Sequence, residues 1–166
     1  MSLIRATVFA LTDRGHTREH NEDTFLLADF SDSGRWLPVA GESRAVGPRG
    51  FLWLVADGMG GAAAGEIASA MAASAIHDQL RQRWLESSDS SGLHFASAIR
   101  SAVEDANSTL HRHAQENAEL RGMGTTATVV GMLRDHLYIA QVGDSRAYLI
   151  RNGEATLLTR DQSLTQ

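Results

Sequence analysis

The sequence predicts an α+β fold in which two long helices pack on a mostly antiparallel sheet or sandwich. Three observations carry this. Apolar residues recur at three- and four-residue spacing only between residues 65 and 120. Short apolar blocks precede that stretch, and from Gly122 the period changes to two, with blocks separated by tight polar turns. Strands, then two helices, then strands joined by short turns give antiparallel neighbours rather than parallel crossover units.

Taken in order, residues 5–12 (RATVFALT) are rich in β-branched and aromatic types and read as a strand. A polar loop, residues 12–21, delivers Glu22 and Asp23 directly before an apolar strand at 24–27. Two adjacent carboxylates at that entrance either share the solvated loop or turn one side chain inward, where it needs a cation or hydrogen-bond donors. Residues 29–49 mix Ser, Gly, Pro and charges and read as a long connection. Residues 51–56 form a continuous apolar run, hence a buried strand, ending on Asp57 and then Gly58, Met59, Gly60 and Gly61.

The first helix is expected over residues 65–86. Its first half is small and apolar on nearly every face, so it is buried on more than one side. Its second half carries one core stripe, Ala72, Ile76, Leu80 and Trp84. His77 lies off that stripe and is assigned to the surface. SSDSSG, residues 87–92, links the helices. The second helix, residues 93–120, places Ala96, Ile99, Val103, Ala106 and Leu110 on one face. Its His111 and His113 are two apart, do not share a helix face, and read as surface residues rather than a zinc pair. Strands follow at 125–133, 136–142, 146–150 and 154–158, with turns at Arg134-Asp135, Gly143-Asp144-Ser145 and Asn152-Gly153. The last is a type I′ hairpin signal, and the series reads as a β-meander.

The composition is that of an ordinary globular chain, 43% hydrophobic and 21% charged, long enough for a single domain over residues 1–166. The 15 basic residues are all arginine against 20 acidic ones, a net charge of -5. That diffuse acidic balance argues against nucleic acid or an anionic membrane as partner. There is no cysteine, so no disulfide framework, thiolate zinc site or cysteine nucleophile. Without a signal peptide or an apolar run approaching ~18 residues, the expected location is cytoplasmic.

The glycine-rich turn after Asp57 admits three readings. Gly58 to Ala63 fits a loose dinucleotide pattern, but Asp57 would set a negative charge beside the pyrophosphate, and no acidic residue ends a second strand ~20 residues on. A Walker-type loop requires lysine, which the chain lacks. The third reading is a tight turn bearing a solvated aspartate. The candidate acidic positions, Glu22-Asp23, Asp57 and Asp144, all sit at strand ends or turns. Gathered at one end of the sheets they form an oxygen-rich site suited to Mg²⁺ or Mn²⁺. Arg18 supplies a forked anchor for a phosphoryl group, and the set points to metal-assisted hydrolysis.

Four stretches resemble the metal-dependent Ser/Thr protein phosphatases of the PPM type, or type 2C class. They are GHTREHNED (residues 15–23), VADGMGGAAAGEIAS (55–69), MGTTA (123–127) and VGDSRAYLIRNGEATLLTRDQSLTQ (142–166), in matching order and spacing. The resemblance implies a bacterial-type member with a central antiparallel β-sandwich flanked by helices in four layers, α-β-β-α. It implies that Asp57 bridges two metal ions, that the Gly58 carbonyl binds one, and that Asp144 serves a third. Glu22 and Asp23 would hold metal-coordinated waters, and Arg18 the substrate phosphate. Met59 stands where many eukaryotic relatives carry a histidine. Ala62 replaces a histidine common in bacterial relatives.

The family continues past a stretch like residues 158–164 into a mobile flap, further strands and two more aspartate motifs, which this sequence does not contain. The resemblance therefore implies a domain shortened at its C-terminus, inactive or weakly active alone. Implied partners are phosphorylated Ser/Thr proteins opposite a Ser/Thr kinase, with self-association through exposed sheet edges. The alternative is a pseudophosphatase acting as a regulatory or binding module.

Overall fold

A computed structural model describes residues 4–37, 41, 43–60 and 64–162. Gly61, Ala62 and Ala63 of the glycine-rich turn, and residues 163–166, lie outside the described residues. The elements run β1 Arg5–Thr7, β2 Asp23–Asp29, β3 Arg35–Trp36, β4 Ser43–Ala45, β5 Phe51–Met59, α1 Ala64–Leu85, α2 Gly92–Glu116, β6 Gly124–Thr125, β7 Ala127–Leu133, β8 His136–Val142, β9 Tyr148–Arg151 and β10 Glu154–Leu157. A large antiparallel sheet has the order β3-β2-β5-β7-β8, with β6 paired to the far end of β5. β1 pairs with β4 and β9 with β10 in two small antiparallel sheets.

β5 is the axis of the molecule because it is apolar on both faces. Leu54 lies opposite Leu26 on one side and Val129 on the other. Alternation then places Leu52, Leu54 and Ala56 on the same face as Leu26, Ala28, Val129 and Leu133. Both helices cover this face, and all seven residues are buried. Ala72, Ile76, Leu80 and Trp84 of α1 are buried as their spacing requires. The small-residue first half is buried on one side only: Ala64, Gly65, Ala68 and Ser69 are covered, whereas Ala70 and Ser74 are exposed. On α2 the buried face is Phe95, Ala98, Ile99, Ala102, Ala106 and Leu110, so Ala96 and Val103 flank the seam rather than fill it. Gly131 lets α2 approach the sheet: a Cβ there would stand 2.6 Å from Ile99 Cδ1.

The helix junction is closed by reciprocal contacts. Trp84 Nε1 donates to Arg49 O at 2.8 Å, and Arg49 Nη1 donates to Trp84 O at 3.0 Å. The guanidinium sits 5.0 Å from the indole centroid, a cation–π arrangement. Ser91 caps α2, its Oγ accepting from His94 N at 3.2 Å.

The structure corrects several expectations. Among the described residues the connection over residues 29–49 holds a 3₁₀ turn, Phe30–Asp32, together with β3 and β4, and Asp29 caps that turn by accepting from Ser31 N at 2.8 Å. This segment folds over α1, and that is why His77 is buried rather than at the surface. Its Nε2 lies 2.7 Å from Gly34 O, its ring stacks on Phe30, and Trp36 meets it edge-on. Helical periodicity registers only the helix's own apolar residues, not a loop that later lies across them. The first strand is three residues long instead of eight. The meander is interrupted as well: β8 does not continue into β9, because Gly143-Asp144-Ser145, with Gly143 at φ 96°, carries the chain out of the large sheet. Asn152 and Gly153 both have positive φ, as a type I′ turn demands.

Opposite the helices, Phe25, Leu27, Trp53, Val55 and Val130 line a groove of about 430 Å³ with residues 8–11 after β1 and Arg146-Ala147 before β9. The chain thus supplies a helical layer, a full sheet and parts of a facing layer. Among the described residues no helix is long and apolar enough to cross a membrane.

Candidate active site

Asp23 and Asp57 are register partners across β2 and β5. By the same alternation that sends Leu54 and Ala56 towards the helices, both carboxylates project from the opposite face, at the end of the apolar groove. Like charges directly opposite each other on a sheet repel. The Asp57 carboxyl is accordingly pushed above the ordinary carboxylate range, first by partial burial, then by the charge of Asp23 and a hydrogen bond with it, and then by the charges of Asp144 and Glu22. Three carboxylates from two other stretches of the chain therefore act on Asp57 here.

Glu22 is held by the start of α1. Its backbone O accepts from Gly58 N at 3.0 Å, and its carboxylate packs where a side chain on Gly65 would be, with Oε1 2.7 Å from the ideal Cβ position. The first turn of a helix favours a negative charge nearby. Gly58 is equally constrained: a Cβ there would run into Gly65 O and come within 2.9 Å of Glu22 O. Both glycines serve close backbone approach, so the strand end, the acidic loop and the helix start meet at one point.

Arg18 is exposed and lines an open cleft of about 790 Å³ together with Arg14, Glu22, Asp23, Asp57 and Gly58. The loop carrying it is ordered by Asn21, whose Nδ2 donates to Thr12 Oγ1 at 2.9 Å and whose Oδ1 accepts from Asp23 N at 3.1 Å. Asp144, on the turn after β8, is exposed and is not among the residues lining this cleft; only its charge acts on Asp57. Met59 is 57% exposed at the cleft's edge. His111 is exposed, as its spacing indicates, but His113 is half-buried, with Asn117 Nδ2 3.4 Å from its Nδ1.

Thr125 and Thr126 were not singled out by residue type or spacing. They grip the Asp57 backbone on both sides. Thr126 N donates to Asp57 O at 2.9 Å, Asp57 N donates to Thr126 Oγ1 at 2.9 Å, and Thr125 Oγ1 donates to Asp57 O at 3.0 Å. The signal available in the sequence was the stretch MGTTA, residues 123–127, whose paired hydroxyls precede an apolar strand.

The all-oxygen donor set suits a hard divalent cation, and a carboxylate held against three others is one that a cation would relieve. Among the described residues no three His, Asp or Glu side chains converge closely enough to hold a metal ion by themselves. The chain offers part of a ligand set.

Known proteins resemble this chain along most of its length. Residues 30–166 match the family model described as protein phosphatase 2C. The serine/threonine phosphatase stp of Listeria welshimeri is 34% identical over 92% of this chain and 53% of its own length, and the protein phosphatase PhpP of Streptococcus pneumoniae is 32% identical over 93% and 54%. The chain thus spans about half the length of these curated relatives. A solved serine/threonine phosphatase of S. agalactiae superposes with a TM-score of 0.74 at 32% identity, covering 97% of this chain and 57% of that one. The catalytic domain of PstP, solved in complex with two manganese ions, superposes at 0.66 with 30% identity, covering 98% and 57%. With the family model spanning most of the chain, strand end and acidic turn included, this protein belongs to the protein phosphatase 2C family.

Proposed function

We propose that the chain is the N-terminal portion of a single PPM-type domain that hydrolyses phosphorylated Ser/Thr side chains of proteins with the help of Mg²⁺ or Mn²⁺. The observation that carries this reading is the pairing of Asp23 and Asp57 across β2 and β5 in a cleft that Arg18 also lines, with the Asp57 carboxyl raised first by partial burial and then by Asp23, Asp144 and Glu22. The two manganese ions bound by the related PstP catalytic domain support the choice of metal. Asp57 and the Gly58 carbonyl would hold the pair of cations, and Asp144 a third. When bound, such cations would supply Lewis acidity at the phosphoryl group and lower the pKa of the attacking water. Glu22 and Asp23 would orient water around the ions. Arg18 would place its fork on the phosphoryl oxygens and offset the charge that develops there. The substrates would be phosphoproteins opposite a Ser/Thr kinase, in the cytoplasm.

The test is Asp57→Ala in the full-length protein, assayed on a phosphopeptide with millimolar Mn²⁺. Loss of nearly all activity is expected. Retention of more than about a tenth of the rate, under ~1.4 kcal/mol of barrier, would overturn the bridging role. Arg18→Ala should weaken phosphate binding while calorimetric Mn²⁺ affinity stays nearly intact.

One observation favours a second reading. Without three convergent ligands among the described residues, residues 1–166 alone would bind cations weakly and act as a binding module with little activity. Such a chain would also self-associate through the open β8 edge, where Leu137 and Val142 are 44% and 43% exposed. Light scattering on residues 1–166 decides this: a monomer with full activity would remove the reading.

A further inference from the structure

The hydroxyl that receives the Asp57 amide is itself bonded to the acidic turn on the other side of the site. Thr126 Oγ1 lies 2.8 Å from Ser145 Oγ, one hydroxyl donating to the other. Ser145 follows Asp144 directly. We propose that Thr126 is a positioning residue: through Ser145 it sets the Asp144 turn relative to Asp57, so that the two carboxylates move as one unit. The functional consequence rests on the metal-dependent reading above; the linkage itself does not.

Three features make the pair a specific connection. Gly143 has φ 96°, and a Cβ on it would stand 2.7 Å from Thr126 Cγ2, so the Thr126 side chain is packed into the turn as well as bonded to it. Thr128 Oγ1 and Gln141 Nε2 both donate to Ser145 O, at 2.7 and 3.1 Å, which closes the turn from the adjoining strands. On its outer side Gln162 N donates to Gly143 O at 2.9 Å, and Arg160 N to Gln141 Oε1 at 3.0 Å. The Thr126–Ser145 bond joins this turn to the end of β5 through a side chain that has no charge and would touch neither substrate nor cation. A threonine suits that place, since its stiff χ1 holds the hydroxyl between two partners.

The test uses Thr126→Val, which keeps the shape and removes the hydroxyl, beside Thr126→Ser, which keeps the hydroxyl. Amide hydrogen exchange is followed by NMR at Asp57, which donates to Thr126, and at Gln162, which reports the turn through Gly143. The expected result is exchange faster by roughly tenfold at both amides in Thr126→Val, the scale of one lost hydrogen bond, and near-native exchange in Thr126→Ser. Calorimetric Mn²⁺ affinity of the full-length protein should fall with Val and recover with Ser. Faster exchange at Asp57 alone, with Gln162 unchanged, would overturn the proposal, as would Val and Ser behaving alike. Absence of Mn²⁺ binding in the unaltered protein would overturn only the metal reading, because the exchange data judge the Thr126–Ser145 link separately.

Discussion

The two faces of the large sheet differ more than any other two regions of the molecule. On the helix side Leu52, Leu54, Ala56 and Val129 are all at most 2% exposed, sealed by α1 and α2. On the other side Val55, one residue from Leu54, is 47% exposed, and Phe9 and Leu11 beside it are 77% and 90% exposed. The indole N–H of Trp53 on that side is buried without a hydrogen-bond partner among the described residues. Yet it is this open face that carries Asp23 and Asp57. One strand, β5, thus packs Leu52, Leu54 and Ala56 under the helices and displays Asp57 on the opposite side of the pleat.

The largest expected effect breaks the closed face. Trp84→Ala should cost about 3–5 kcal/mol by denaturant unfolding, since it empties a fully buried position and removes both the indole's hydrogen bond to Arg49 O and its cation–π contact. A loss below 1 kcal/mol would mean that the helix layer is not where stability resides. Gly58→Ala attacks the seam where the two faces meet, at the start of α1. Its Cβ would meet Gly65 O, and backbone cannot step aside as a flexible side chain can, so roughly 1–3 kcal/mol should be lost.

Asp57→Asn should shift stability the other way. With the native carboxyl raised above its unfolded value, the folded protein binds more protons between those two values, and its stability falls as pH rises through that window. At neutral pH without metal the charge is therefore destabilising, and the Asn variant should melt higher than the unaltered protein. Millimolar Mn²⁺ should reverse the order by stabilising only the unaltered protein. Equal melting temperatures with and without the charge would show that the carboxylates do not strain the fold. The smallest effect belongs to the open face: Val55→Ala should cost under about 1 kcal/mol, because solvent already reaches the side chain. A Val55 penalty matching that of Trp84 would erase the distinction between the faces.

What could be read from the sequence follows the same division. The stripe Ala72, Ile76, Leu80 and Trp84 was legible because a helix buries what its own period aligns. Asp57 was legible as a candidate because an apolar strand that ends on a carboxylate and glycines presents that carboxylate where a ligand can approach, although the same residues also allow a tight turn with a solvated aspartate. That Asp23 stands directly opposite Asp57 was not, since strand register depends on pairing partners rather than local composition. His77 reads as a surface residue in the sequence because its burial comes from a distant segment. Thr126 was hidden for a related reason: a hydroxyl that bonds a backbone amide on β5 looks the same in sequence as one facing water. The break between β8 and β9 was concealed by short polar turns, which serve a change of sheet as well as a hairpin.

The placement of the helical hairpin inside the sheet has a kinetic consequence. Leu54 and Val129 are neighbours across β5 and β7 but lie 75 residues apart (129 − 54), with α1 and α2 entirely between them. Closing so long a loop from an unstructured chain is entropically slow, whereas two helices joined by a short linker form from local contacts. Once the hairpin has folded back, the ends of the loop are brought together and β7 can find β5. The order of events is then built into the connectivity: hairpin first, central pairing second. Chevron analysis should find that Ala102→Gly, in the buried seam of α2, chiefly slows refolding, while Val129→Ala chiefly hastens unfolding. The reverse assignment would place the sheet ahead of the helices. In the expected order, the acidic site is among the last parts of the molecule to come together, because Asp57 waits for the threonines that arrive with β7.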